Sequence, residues 1–475
     1  MKYIARCQEA WVHYKYFLTT IVSNYHFIAI GGAVMHQLAS HLKNEGHTVT
    51  GSDDAIFDPA KTNLERLGLM PEKTGWDPAN IRKDLDAVIL GMHAKADNPE
   101  LLRAQELGLK IYSFPEFIYE QCKEKTRIVV AGSHGKTTIT SMILHIFREN
   151  KIDFDYLVGA KLEGFDFMVK TSASAKYIVI EGDEYLTSPI DLRSKFLHYH
   201  PHIAIISGIA WDHINVFPTF ESYLETFAKF MLDIDPAGYL IYNSEDEILK
   251  ELVRDTENEC TEIPYDKFDF KTANDTSVLL YNGKEYPVLV FGSHNFANLK
   301  AAYEVALRAG IPGENILKSI QTFAGAAKRL EKVYENPEQK ITVFRDFAHA
   351  PSKLKATVKA VRERYPERKI IALFELHTYS SLQENFIDQY AHSLDPADIK
   401  ILYLDEEALK IKNKSDLDSD WLKRQFADES IRVYKDANLL REKIRLDISQ
   451  NCVLLLMSSG NLGGIQASDF RETAG

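Results

Sequence analysis

The stretch Ala131–Thr138, AGSHGKTT, decides how this chain is read. It follows the apolar run Arg127–Val130 (RIVV) and opens the helix-like pattern Ile139–Phe147 (ITSMILHIF). A buried strand, a glycine turn and a helix N-terminus in that order make a phosphate cradle, because backbone N–H groups and the helix dipole both face the anion. Lys136 is then placed to neutralise β- and γ-phosphate oxygens, and the Thr137 hydroxyl to ligate Mg2+. Gly132, His134, Gly135 and Thr138 complete the loop. The loop departs from GxxxxGK[ST], whose first glycine would fall at Val130; the glycine stands at Gly132 instead. The stretch predicts an enzyme acting with a nucleoside triphosphate.

Upstream, His26–Gly32 (HFIAIGG) reads as a strand ending in Gly31 and Gly32, followed by a helix pattern closed at Gly46. Thr48–Asp54 (TVTGSDD) gives a second strand that brings Asp53 about 20 residues after the glycines, a βαβ nucleotide-binding arrangement. GxGxxG itself is absent, and two glycines alone also suit a structural turn. Further strands are expected at Ala87–His93 and Lys110–Phe114.

Downstream, Tyr177–Tyr185 (YIVIEGDEY) is a buried strand running into Glu181, Asp183 and Glu184. An acid at the carboxyl end of a parallel strand beside a phosphate loop is a second support for Mg2+. His202–Phe217 repeats the pattern, with Asp212 and His213 at the strand tip. Ser293–Gly310 reads as an amphipathic helix with Ser293 as its N-cap; Asn295 and Asn298 share one face, where they either read an adenine edge or serve only as polar helix-start residues. Beyond residue 336 come a strand with Asp346 and His349 in the following loop, a helix that Pro351 helps start, and buried strands at Lys369–His377 and Val453–Ile465. Strands alternating with helices predict parallel sheets with working loops at the strand carboxyl ends.

The chain has 475 residues, 45% of them hydrophobic and 26% charged, as in an ordinary globular protein of about three domains. Its net charge of −12 argues against a general nucleic-acid or anionic-membrane binder. Four scattered cysteines without zinc spacing suit reduced thiols and a cytoplasmic location. No apolar run reaches the 18 residues of a membrane span, and residues 1–24 read as an extension outside the working domains. The expected division is a 1–24 extension followed by three blocks, 25–122, 123–335 and 336–475. The sequence fits a monomer or a dimer.

Six motifs in order, GSHGKTT, EGDE, WDH, HNFAN, RLE and DFAHAP, make the chain resemble the Mur ligase family of peptidoglycan synthesis from residue 25 to the C-terminus. The resemblance implies an α/β, three-domain architecture: a Rossmann-like UDP-binding domain (25–122, UDP-sugar-binding), a central P-loop ATPase-type domain (123–335, ATP-binding) and a C-terminal Rossmann-like domain (336–475, acceptor-binding). It also implies an ATP- and Mg2+-dependent amide ligase acting through an acyl phosphate. IGGAVMH and VTGSD resemble the branch using UDP-N-acetylmuramate. Within it, Arg193–Pro201 (RSKFLHYHP), DFAHAP and MSSGNLGGI look more like ligases that attach the tripeptide L-Ala-γ-D-Glu-meso-diaminopimelate than like those adding L-alanine. A catalytically silent sensor of wall precursors is the alternative of another class, disfavoured by the intact Lys136, Thr137, Glu181 and His213.

By resemblance, Lys136 meets the γ-phosphate, Thr137, Glu181 and His213 support Mg2+, and Arg329 approaches the phosphates. Asn295 and Asn298 approach adenine and Asp346 the ribose. Gly31, Gly32, Asp53 and His93 line the UDP site, and Arg193 and His377 meet substrate carboxylates. Departures from the family pattern gather in the last third: Ala350 follows the DFAH motif, Arg345 stands where relatives often carry an acid, and His377 stands where an arginine is usual.

Overall fold

The computed structural model describes residues 22–162, 164–211, 216–273, 276–378, 380–384, 386–405 and 418–470. The expectations for most of residues 1–24 and for Asp212 and His213 lie outside the described residues. By internal contacts the chain divides into two units. The first comprises Met1–Gln121, Phe167–Lys170 and Leu186–Arg193; the second comprises Cys122–Asp166, Thr171–Tyr185 and Ser194–Gly475.

The first unit is a four-stranded parallel sheet of β1 (Asn24–Ile28), β2 (Thr48–Ser52), β3 (Ala87–Leu90) and β4 (Ile111–Ser113), in the order β2-β1-β3-β4. Helix α1 (Met35–Asn44) follows the double glycine. Ile28, Val88, Leu90, Leu101 and Ala104 form an apolar cluster, the continuous burial that a parallel strand covered on both faces requires.

The second unit is built on a parallel sheet of β5 (Thr126–Ala131), β6 (Phe154–Leu157), β7 (Tyr177–Glu181), β8 (Ile203–Ile206), β9 (Tyr239–Asn243) and β10 (Thr261–Tyr265). Their spatial order is β10-β9-β8-β5-β7-β6. Because β8 and β7 flank β5, the residues after all three strands meet at one carboxyl edge. Helix α2 (Lys136–Glu149) leaves β5 through the glycine turn, and α3 (Phe220–Leu232) lies further along the chain. An antiparallel sheet of β11 (Asp269–Ala273), β12 (Thr276–Tyr281) and β13 (Lys284–Val288) precedes α4 (Ser293–Arg308).

The same unit contains a sheet ordered β14-β15-β19-β16-β17-β18, from β14 (Glu331–Asn336), β15 (Ile341–Asp346), β16 (Lys369–Glu375), β17 (Ile399–Tyr403), β18 (Arg432–Tyr434) and β19 (Cys452–Met457). All neighbours are parallel except β14 against β15. Helix α5 (Pro351–Arg364) follows β15, and Leu354, Val358 and Val361 on it pack with Phe374, Leu455 and Met457. The α/β architecture expected from the alternating pattern is what the chain adopts.

Strands end earlier than their apolar runs. Among the described residues, the run from His202 to Phe217 contributes only Ile203–Ile206 to the sheet. Ser293 is not an N-cap: it is the first residue of α4, whose cap is Gly292 with φ of 86°. A Cβ on Gly292 would lie 2.4 Å from the Ala360 Cβ of α5, so the close approach selects glycine there. Cys122, Cys260 and Cys452 are free, and burial pushes the Cys122 thiol up to about 12. Among the described residues no helix is long and apolar enough to cross a membrane.

Candidate active site

The turn between β5 and α2 requires both its glycines. Gly132 has φ of 121°, and a Cβ there would meet Ser207 Oγ at 2.3 Å; Gly135 has φ of 80°, and a Cβ there would meet Asn298 Oδ1 at 2.6 Å. Positive φ and crowding act together to select glycine at both positions. The loop is tied to β8 through Ser133 N–H donating to Gly208 O at 3.0 Å, and Ser207 Oγ donating to His134 O. Thr138 is buried in the first turn of α2.

Lys136 extends from the first residue of α2 and donates to Gly132 O at 3.0 Å and to Glu184 Oε2 at 2.7 Å. Burial works against its charge, but Glu184, Asp183 and Glu181 outweigh it and hold the ammonium above the ordinary lysine range. Thr137 Oγ1 donates to Glu181 Oε1 at 2.7 Å, and Gly159 N–H donates to the other oxygen, also at 2.7 Å. Burial first, then repulsion from Asp183, raises the proton affinity of Glu181 against those two donors and Lys136. A hydroxyl and a carboxylate oxygen this close, in a cluster crowded with negative charge, fit a hard divalent cation.

A cavity of about 460 Å³ opens over this loop. Its wall includes Lys136, Thr137, Glu181, Asn298, Arg329 and Asp346, so residues far apart in sequence meet around one volume. Gly135, His134, Thr138 and Asn295 also border it. Arg329 Nη2 lies 3.5 Å from Thr137 Oγ1, with its guanidinium 4.7 Å from the Phe347 ring centroid. Asp346 accepts from Leu330 N–H at 2.7 Å, Ala348 N–H at 2.8 Å and Thr357 Oγ1 at 3.2 Å. Burial raises its proton affinity, opposed chiefly by Arg329. Asn295 Nδ2 donates to Phe291 O at 2.9 Å and Asn298 Nδ2 to Asn295 Oδ1 at 3.3 Å, so the two amides first order each other.

In the first unit, Asp53 Oδ2 accepts the Gly31 N–H at 2.7 Å, fastening the acid at the end of β2 to the glycine turn after β1. Burial raises the proton affinity of Asp53, with Gly31 N–H acting against it. Gly32 O takes the His36 ring at 2.8 Å, and His93 is exposed beyond β3. Arg193 pairs with Asp191 through Nη2 at 2.6 Å and reaches Glu116 at 4.0 Å.

In the second unit, His377 Nε2 lies 3.3 Å from Ser459 Oγ, and its Nδ1 lies 3.8 Å from the buried Glu375, outside the large cavity. Sequence reasoning placed Glu184 in an acidic cluster without giving it a role, and passed over Ser207 and Tyr223. Tyr223 OH is 2.8 Å from Ser133 Oγ and 3.4 Å from Glu184 Oε1, a contact spanning 39 residues that no local motif announces.

Three family models match the chain: Mur ligase family, catalytic domain, over residues 24–126; Mur ligase middle domain over 130–306; and Mur ligase, glutamate ligase domain, over 328–460. A UDP-N-acetylmuramate–L-alanine ligase of Caldicellulosiruptor bescii is 34% identical over 412 residues, covering 82% of this chain and 86% of the relative. The chain belongs to the Mur ligase family.

Mur ligases are ATP-dependent amide ligases, and this Mur ligase is an enzyme of that kind. Among solved structures, it resembles the UDP-N-acetylmuramate:L-alanyl-γ-D-glutamyl-meso-diaminopimelate ligase from Neisseria meningitides. That match has 26% identity and a TM-score of 0.57, covering 64% of this chain and 98% of that one. The fold also matches a UDP-N-acetylmuramate–alanine ligase from Thermotoga maritima, with a TM-score of 0.68 and 21% identity, covering 95% and 98% of the two chains.

Proposed function

We propose that this Mur ligase joins the lactyl carboxylate of UDP-N-acetylmuramate to the α-amine of an L-alanyl acceptor. ATP and Mg2+ meet in the cavity over AGSHGKTT. The observation that carries the reading is the approach of Arg329 Nη2 to Thr137 Oγ1, 3.5 Å across 192 residues, with Lys136 and Glu181 in the same wall. Two cations and a cation-ready oxygen pair around one volume suit the charge that builds on a transferring phosphoryl group.

In this reading Thr137 and Glu181 hold Mg2+, which would draw charge from the phosphate oxygens, and His213 is the third support carried over from the family pattern. Lys136 and Arg329 steady the γ-phosphoryl group as the substrate carboxylate oxygen attacks it and ADP departs. The acceptor amine then attacks the acyl carbon, the amide forms, inorganic phosphate leaves and the amine gives up its proton. The protein supplies position and neutralisation rather than a covalent step. Asn295 and Asn298 border the adenine end, Asp346 holds the loop at the ribose, and Gly31, Gly32, Asp53 and His93 receive the UDP moiety. Arg193 and His377 are assigned to substrate carboxylates, and the four-segment division at 24, 122 and 335 follows the same assignment.

We take the tripeptide L-Ala-γ-D-Glu-meso-diaminopimelate as the acceptor, supported by the likeness to the Neisseria enzyme. Free L-alanine is the second reading, favoured by the name of the Caldicellulosiruptor relative. Both acceptors present the same nucleophile, an L-alanyl α-amine, so the site chemistry is shared. Parallel assays of phosphate release with the two acceptors decide between them; a clear preference for L-alanine overturns the peptide reading.

A further inference from the structure

Tyr223 of α3 is 0% exposed and stands behind the phosphate loop rather than in the cavity wall. The Phe217 and Phe227 rings pack edge-on against it, with centroids 5.0 Å and 5.1 Å away, so the ring is held and its hydroxyl has a fixed position. That hydroxyl lies 2.8 Å from Ser133 Oγ and donates to Glu184 Oε1 at 3.4 Å. A phenol has one proton and an ionised carboxylate only accepts, so Ser133 donates to the phenol oxygen. Ser133 Oγ in turn accepts the Ala210 N–H at 2.8 Å. The donors therefore run in one direction, from Ala210 through Ser133 and Tyr223 to Glu184.

Glu184 passes this order on to the cation. Its Oε2 accepts from Lys136 at 2.7 Å while Oε1 takes the phenol, so both oxygens are engaged and the carboxylate plane is fixed. Lys136 directs a second N–H to Gly132 O at 3.0 Å. An ammonium has three donors, so these two bonds leave the third for the cavity that Lys136 borders. The aim of that last N–H is set by where Glu184 stands. Phosphoryl transfer is sensitive to such aim: a group misplaced by about 1 Å loses on the order of a hundredfold in rate.

We propose that Tyr223 is a positioning residue for phosphoryl transfer, fixing Glu184 and through it the Lys136 N–H that meets the γ-phosphate; this rests on the ligase reading above. Tyr223 does not border the cavity, so it acts through Glu184 rather than on a substrate. Without the phenol hydroxyl, Glu184 Oε1 loses that donor, the carboxylate can turn, and Lys136 follows it, while the ring and its packing stay in place.

The test uses the full-length protein and the variants Tyr223→Phe, Ser133→Ala and Ser133→Ala/Tyr223→Phe. It measures kcat for phosphate release and KM for ATP, UDP-N-acetylmuramate and the preferred acceptor. Tyr223→Phe is expected to lower kcat about tenfold, the loss of one hydrogen bond to a charged group, with each KM held within about twofold. Its ring keeps the aromatic packing, so the melting temperature is expected to move by no more than about 4 °C. Ser133→Ala removes the other bond of the phenol and leaves its donation to Glu184, so Tyr223→Phe is expected to lower kcat about tenfold on that background too. An unchanged kcat in Tyr223→Phe overturns the proposal. So does a kcat loss matched by comparable rises in KM and a larger drop in melting temperature, which marks a purely structural residue. A Tyr223→Phe effect that vanishes in the Ser133→Ala background assigns the phenol to the loop rather than to Lys136, and overturns it as well. Failure of the wild-type protein to release phosphate with UDP-N-acetylmuramate and either the tripeptide or L-alanine is a separate result; it refutes the ligase reading and the positioning role with it.

Discussion

Lys136 donates to Glu184 at 2.7 Å, and the two side chains are 14% and 1% exposed, so the phosphate-loop cation is matched to a carboxylate that solvent barely reaches. The pair keeps the ammonium charged and aimed before any nucleotide arrives. Removing one partner of a buried pair strands the other, at a cost of about 3–5 kcal/mol. Lys136→Met is therefore expected to lower both the melting temperature and turnover, and Lys136→Met/Glu184→Gln to recover most of the melting temperature but none of the turnover. Thermal unfolding with phosphate-release assays checks this. A Lys136 variant with full activity would refute the role of the loop.

Gly135 combines φ of 80° with a site where a Cβ would sit 2.6 Å from Asn298 Oδ1. Gly135→Ala is expected to displace the turn and the Asn298 amide together, raising the KM for ATP by at least about tenfold, with a stability loss of about 1–3 kcal/mol. Steady-state kinetics against ATP and denaturant unfolding measure the two effects. An unaltered KM would separate Asn298 from nucleotide binding.

The reach of the sequence follows from the range of the forces involved. Strand, turn and helix around AGSHGKTT are local, and β5 and α2 lie where the pattern places them. Glu181 is legible because it ends a strand neighbouring β5. The partnership of Lys136 with Glu184 spans 48 residues, and its choice of carboxylate is fixed only when the strands align. Arg193 shows the local case again: its guanidinium pairs with Asp191 two residues away, a range that sequence spacing covers. The cap at Gly292 was missed because its cause, the Ala360 side chain of α5, is distant in sequence.

Glu181 binds protons more tightly than an ordinary carboxylate because of burial and Asp183. A proton therefore competes with Mg2+ at higher pH than the usual carboxylate range near about 4.3. Apparent Mg2+ affinity is expected to be full above the raised pKa and to fall as pH drops through it. Mg2+ titrations of activity across pH check this, and Glu181→Gln is expected to weaken the dependence on pH along with the affinity. A flat profile in the wild type would place the cation elsewhere.

His145 on α2 contacts Ser319 O at 2.9 Å and Thr322 Oγ1 at 3.0 Å, and burial holds its pKa below the ordinary 6.5. Below 6.5 the unfolded chain takes up a proton that the folded ring resists. Its contribution is thus intact above that pH, and stability falls as pH drops from there toward the folded pKa. Melting temperatures between pH 8 and 5 are expected to decline less steeply in His145→Gln; identical slopes would contradict this.

The most direct test of the central claim is phosphate release from ATP by the wild-type protein, with UDP-N-acetylmuramate and the tripeptide added separately and together. The expected result is multiple-turnover release only with both, accompanied by a stoichiometric UDP-muramyl-tripeptide product. Tight binding of ATP and UDP-N-acetylmuramate, with no turnover in the presence of either the tripeptide or L-alanine, would contradict it.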